Sequence, residues 1–208
     1  GSTTMTIDNS FGAVEASGII ITNGMGSWQY NYFTGAPLRI GTNGVTIYTD
    51  TSDTFVDFNC PVVLTGAQTW RSAKVRTIDV SGTVTLTNVL SSAAGVSTPI
   101  TFDGFNRVDP SLKAMTSART TFAFKNNNTY SGSTTIQRGG VLYLLFSTAF
   151  PSSKIDSASA LILSGGGLAI TGGSMTYTQI VSSLVVNTGE NFIGGKNAKA
   201  VIDLGNIV

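Results

Sequence analysis

The chain has 208 residues, 41% hydrophobic but only 11% charged, with twelve Lys or Arg against eleven Asp or Glu. A net charge of +1 excludes the clustered basic surface that phosphate recognition requires. The absence of histidine removes the usual general base and zinc ligand and any Ser-His-Asp machinery, while a single cysteine, Cys60, excludes both an intrachain disulfide and a thiol protease.

Polarity comes instead from Thr, Ser, Asn and 24 glycines, a mixture that favours strands and turns. In chain order, Gly1-Ser2 reads as a cloning remnant, and no signal peptide follows it. The run 27–33 places Trp28, Tyr30 and Tyr32 on alternate positions of an expected strand. Short alternating runs then recur at 45–48, 61–64, 76–80, 83–86, 100–102, 121–124, 141–144, 161–163, 168–170, 184–186 and 202–204. Most place two apolar residues at i and i+2, so one face is buried and the other polar. Gly, Asn or Ser-Gly breaks each run after three to five residues. Cys60, after Phe58 and before Val62 and Val63, is expected to be a small buried hydrophobe. Asp109 before Pro110 and good helix formers predicts a helical turn or two within an excursion at 105–118. Ser164-Gly165-Gly166-Gly167 precedes a strand rather than a helix, so it is a turn and not a phosphate loop. No apolar run approaches the roughly 20 residues of a membrane span.

Many short strands suit either an antiparallel sandwich or barrel, or a solenoid. Asn23-Gly24 and Asn43-Gly44 are hairpin signals, but most breaks are irregular. A solenoid needs only a pair of inward residues per strand, because each coil stacks on its neighbours. The expectation is one β-solenoid over 1–208, excised from a longer protein. Asn126, Asn127 and Asn128 are expected to begin a ladder of stacked amides between coils.

The segment Asn128-Thr129-Tyr130-Ser131-Gly132-Ser133-Thr134-Thr135-Ile136, followed by Gln137-Arg138-Gly139-Gly140-Val141-Leu142, resembles the autotransporter-associated β-strand repeat, also called the passenger-associated transport repeat. Ser133 stands where that motif usually has a second Gly. Gly26-Ser27-Trp28, the stretch 64–70 and the stretch 200–205 are similar to the surroundings of such repeats. The resemblance implies a right-handed parallel β-helix, all-β with irregular loops and at most one short helix, in the exported passenger of a bacterial surface protein. In that family the repeat is associated with export and folding, not catalysis.

Trp28, Tyr30 and Tyr32 would share one face of a strand, at a spacing of roughly 7 Å. Such a row could stack on sugar rings or form a flat protein-binding patch; the alternative is that it fills the core or covers the end of the stack. Asp50, Asp53, Asp57, Asp103 and Asp109 are the acidic residues spaced for a catalytic or metal role, although Asp50 and Asp53 sit in a turn where Asp is ordinary. Arg71, Lys74 and Arg76 read as solvated positions flanking a strand. The expected function is a structural or adhesive segment, extracellular or on the bacterial surface, acting as a monomer. A host glycan or matrix protein is the expected partner, with no nucleic acid, metal, cofactor or catalytic residue. A carbohydrate-active β-helix enzyme (lyase or glycosidase) or a phage tailspike-like fibre segment would share the architecture.

Overall fold

A computed structural model of the chain describes residues 1–22, 28–49, 53–74, 82–104, 120–173, 175–196 and 199–208. The predicted helix at Asp109 to Met115, the run 76–80 and Asn23-Gly24 lie outside the described residues. All regular structure among the described residues is β, and no helix is long and apolar enough to cross a membrane.

The strands come in successive circuits. The first two are β1 (Ser2–Ile7) with β2 (Val14–Thr22), then β3 (Gln29–Gly35) with β4 (Leu38–Thr49). The third holds β5 (Thr54–Phe58), β6 (Val62–Leu64) and β7 (Gln68–Lys74), and the fourth β8 (Gly82–Leu86), β9 (Leu90–Ser92) and β10 (Ile100–Asp103). Next come β11 (Thr121–Phe124) with β12 (Thr134–Gln137), then β13 (Val141–Leu145) with β14 (Ala160–Ser164). The last two are β15 (Gly167–Thr171), β16 (Thr176–Ile180) and β17 (Ser183–Val186), then β18 (Phe192–Lys196), β19 (Lys199–Asp203) and β20 (Asn206–Ile207).

Every described pairing is parallel, and each strand pairs with its counterpart one circuit away. The result is an eight-stranded sheet in the order β1-β3-β5-β8-β11-β13-β15-β18 facing a ten-stranded sheet built from the return strands. This is a parallel β-solenoid, the architecture expected from short runs with two inward residues each.

Stacking turns the alternation into columns. Phe33, Phe58, Leu86, Phe124, Leu144 and Ile170 are in register down one sheet, and Val45, Trp70, Phe102, Ile136 and Leu163 down the other. The two columns meet as an aromatic spine. Phe58 lies 5.6 Å from Trp70, Trp70 6.2 Å from Phe102, and Phe102 4.9 Å from Phe122. Burying each such side chain is worth about 1.5–3 kcal/mol, so the core, not local propensity, holds the rod together. The one polar atom of Trp70 is satisfied inside: its indole N–H donates to Gln68 Oε1 at 2.8 Å, and Gln68 Nε2 donates to the Ile40 carbonyl. Cys60 is buried, as a small hydrophobe should be.

The corners explain the glycines. Asn43-Gly44 makes no hairpin. It bends β4, whose first half pairs with β6 and whose second half pairs with β7. Gly44 has φ of 64°, and a Cβ there would lie 2.2 Å from the Thr69 carbonyl oxygen. The motif at 128–142 forms a second corner. Tyr130 is fully buried, with its hydroxyl against Thr134 Oγ1, and Thr134 Oγ1 in turn lies 3.1 Å from Ser159 Oγ of the next coil. Burial pushes the Tyr130 phenol well above its ordinary value.

The expected stack of asparagine amides does not form at Asn128. Its Oδ1 accepts from the Leu90 N–H at 2.9 Å and its Nδ2 donates to the Lys154 carbonyl at 2.8 Å, so one side chain joins the backbones of the coils on either side. Gln179, two coils later, bonds the backbone of the coil before it twice: Oε1 accepts from the Lys154 N–H and Nε2 donates to the Ile155 carbonyl. These side-chain bonds supplement backbone ones such as that from the Thr129 N–H to the Leu90 carbonyl at 2.9 Å.

Candidate functional site

Strand β3 sends successive side chains to opposite faces. Phe33 points into the core at 4% exposure, while Tyr30 and Tyr32 have the opposite parity and face outward on the side of the rod. Trp28, just before the strand, is 58% exposed. Tyr30 and Tyr32 are half-buried and Tyr32 also lines the end hollow, so the three aromatics straddle the outer face and the end of the stack. That hollow, of about 520 Å³, is lined by Met5, Ile7, Val14, Ile19, Tyr32 and Phe33 among others.

Stacking adds a fourth ring. Phe55 on β5 is the register partner of Tyr30, and their rings lie face to face at 4.7 Å and 10°. Coplanar rings cannot approach that closely, so the ring normals run along the rod axis. Tyr30 and Tyr32, 6.4 Å apart and 9° from parallel, must then lie side by side in nearly one plane. Trp28 packs at 6.2 Å and 53° against Phe55. On the other side of that plane the β1 partners of Tyr30 and Tyr32 are Ser2 and Thr4, both short and exposed.

The next register pair breaks the aromatic pattern. Tyr32 pairs with Asp57, so a carboxylate stands where a second ring would otherwise stack. Asp57 therefore neighbours Tyr32 across one strand spacing, with Phe55 two residues before it on the same face of β5. Phe55 is invisible as a site residue in the sequence, and Asp57 stands there only as one of five candidate carboxylates, because only the coil length brings them beside Tyr30 and Tyr32. The alternation at 54–58 was the available signal.

Asp103 lies on the opposite sheet, 1% exposed, and is engaged by Arg138, whose Nε donates to Oδ1 at 2.8 Å and whose Nη2 donates to Oδ2. Asp53 contributes its backbone carbonyl to the Gln29 N–H at 3.1 Å. Asp50 and Asp109 lie outside the described residues. Arg71 is exposed, as expected, but lies within β7 rather than flanking it, and Arg76 and the Lys74 side chain are outside the described residues. Among the described residues no group of three or more Asp, Glu or Cys is placed to hold a metal ion.

One further ionisable group is buried. Lys154 Nζ donates to the Phe150 carbonyl at 2.6 Å and to Asn127 Oδ1 at 3.1 Å, and lies 4.9 Å from the Phe146 ring centre. Burial pushes its ammonium down to about 8.

Fold and face together define a parallel β-solenoid with an aromatic cluster on its lateral surface. No family model matches the chain, and no curated protein or solved structure is significantly similar to it.

Proposed function

We propose that the chain is a structural and adhesive segment of a bacterial surface-exposed or secreted, autotransporter-like protein. In this reading it is a rigid rod that presents a lateral face to a host glycan or matrix protein, acts as a monomer and performs no catalysis. One observation carries the adhesive part: Trp28, Tyr30, Tyr32 and Phe55 cluster on the outside of the sheet, held in register by a ladder that cannot shift without moving the core. Large rigid rings supply contact area at little entropic cost, which is what a binding surface needs. The exported context is supported by the resemblance of 128–142 to the passenger repeat, whose residues here serve packing: Asn128, Tyr130 and Thr134 are buried and tie coil to coil. The absence of catalysis is supported by chemistry: Asp103 is neutralised by Arg138, and Asp57 stands on a different sheet.

The test is binding of the purified chain to a glycan array with mucin and matrix proteins alongside, repeated with a Trp28→Ala, Tyr30→Ala, Tyr32→Ala variant that retains its fold. Selective binding lost in the variant supports the adhesive role. Absence of binding in both proteins overturns it and leaves the rod as a spacer.

A further inference from the structure

The amine of Lys154 stands apart from the aromatic face, on the connection between β13 and β14, at 0% exposure. The groups around Nζ are the Phe150 carbonyl, Asn127 Oδ1 at 3.1 Å, and the Phe146 and Phe150 rings at 4.9 and 5.7 Å. Among the described residues no carboxylate is bonded to it, and burial alone, with no neighbouring charge, lowers its pKa to about 8. A fraction of the amine is therefore the neutral nucleophile near neutral pH.

An electrophile lies beside it. An amide C=O bond is about 1.2 Å long, so Asn127 Cγ is no more than about 4.3 Å from Nζ, against roughly 3–3.5 Å for an attack-ready pair. Both residues are held in place. Asn128 Nδ2 donates to the Lys154 carbonyl at 2.8 Å, and the Lys154 N–H donates to Gln179 Oε1 at 2.7 Å. The Asn127 N–H donates to Asn126 Oδ1 at 2.8 Å. Asn127 Nδ2 makes no hydrogen bond among the described residues, and Asn127 is half-buried, so a leaving group there has a way out.

We propose that Lys154 and Asn127 join in an intramolecular isopeptide bond, tying the circuit of β11 and β12 to that of β13 and β14. The lone pair of neutral Nζ attacks Cγ, and the carbonyl π electrons move to Oδ1. A proton then passes from the attacking nitrogen to Nδ2. Collapse of the oxyanion restores the C=O and expels Nδ2 as ammonia. One C–N bond forms, one breaks, and no oxidant or co-reactant is consumed. Fixed approach supplies the acceleration: well-oriented intramolecular reactions reach effective molarities of about 10⁵–10⁸ M. This is a single self-modification, not turnover. In the closed form Nζ is an amide nitrogen that no longer titrates, so the lowered pKa belongs to the open form.

The experiment follows the intact mass of the folded, full chain at pH 7 and pH 9, with a tryptic digest of each sample. The mass should be one ammonia short, as purified or after ageing. Any open fraction should close roughly tenfold faster at pH 9 than at pH 7, in step with the neutral amine. The digest should contain a branched peptide joining Asn127 to Lys154. Neither change should appear in Lys154→Met, or in Asn127→Ala, whose half-buried position keeps the control valid if the first variant does not fold. Ammonia lost equally from Lys154→Met marks a cyclised asparagine and overturns the assignment. An unchanged mass in aged, folded wild type overturns it too, and so does closure at equal rates at the two pH values.

Discussion

Arg138 reaches from the turn after β12 to the end of β10 and grips both oxygens of Asp103, the carboxylate being 1% exposed and the guanidinium half-exposed. Arg138 itself sits at φ of 49°, a left-handed conformation rare for a side chain of this kind. The ion pair and the strained turn are therefore one device: the backbone conformation aims the guanidinium at a carboxylate that would otherwise be buried alone.

Arg138→Ala leaves that carboxylate without its fork. The expected cost is about 2–3 kcal/mol in urea unfolding, because an uncompensated buried charge is penalised more than the pair itself contributes. Arg138→Ala with Asp103→Asn should recover part of the loss. A double variant no better than the single one would mean that Asp103 is not the group being compensated.

Trp70→Phe tests the spine. It removes ring area at the contact between the two inner columns and deprives Gln68 Oε1 of its donor. A loss of about 2–4 kcal/mol is expected by thermal or chemical denaturation, with circular dichroism showing the sheet retained. Retained stability would show that the column can close around a smaller ring.

Asn128→Leu is close in volume but cuts both bonds between coils, to Leu90 and to Lys154. The expectation is about 2–3 kcal/mol lost, and faster amide exchange at Leu90 than at strand residues of β11. Uniform acceleration of exchange would instead mean that the amide contributes to global stability alone.

Lys154 sets a pH signature. Its pKa falls to about 8 in the folded chain from an ordinary 10.5, so between those values the unfolded state binds more protons and stability rises with pH. Cys60 acts in the opposite sense, since burial raises its thiol pKa from 9.0 and favours the folded state less as pH climbs past that value. The comparison is therefore made in a Cys60→Ala background: unfolding midpoints should rise from pH 8 to 10 with Lys154 present and stay flatter with Lys154→Met. Parallel profiles for the two proteins would refute the assignment.

The sequence exposed much of the fold because a solenoid repeats a simple rule. Pairs such as Phe122 and Phe124, or Leu142 and Leu144, have to point inward wherever they occur, and β11 and β13 lie where their alternation places them. What stayed hidden depends on register. Gly44 gives the same hairpin signal in sequence whether it closes a hairpin or bends a coil, and only the approach of Thr69 decides. Likewise Tyr30 and Phe55 become neighbours through a coil whose length no local pattern announces. Asn128 reads in sequence as the start of a ladder of stacked amides, whereas its partners are backbone groups of the adjacent coils.

Coil length itself varies widely. The chain travels from Thr83 to Thr121 before rejoining the eight-stranded sheet, but only from Thr121 to Val141 on the following circuit, and the pairing remains in step through both. Each doubling of a flexible connection adds only about 0.6 kcal/mol of closure entropy, a small charge against a core shared by every circuit. Circuits of unequal length are thus interchangeable parts on one chassis: the sequence between ladder strands can be lengthened or shortened, over evolutionary time or by engineering, while the ladder goes on unchanged.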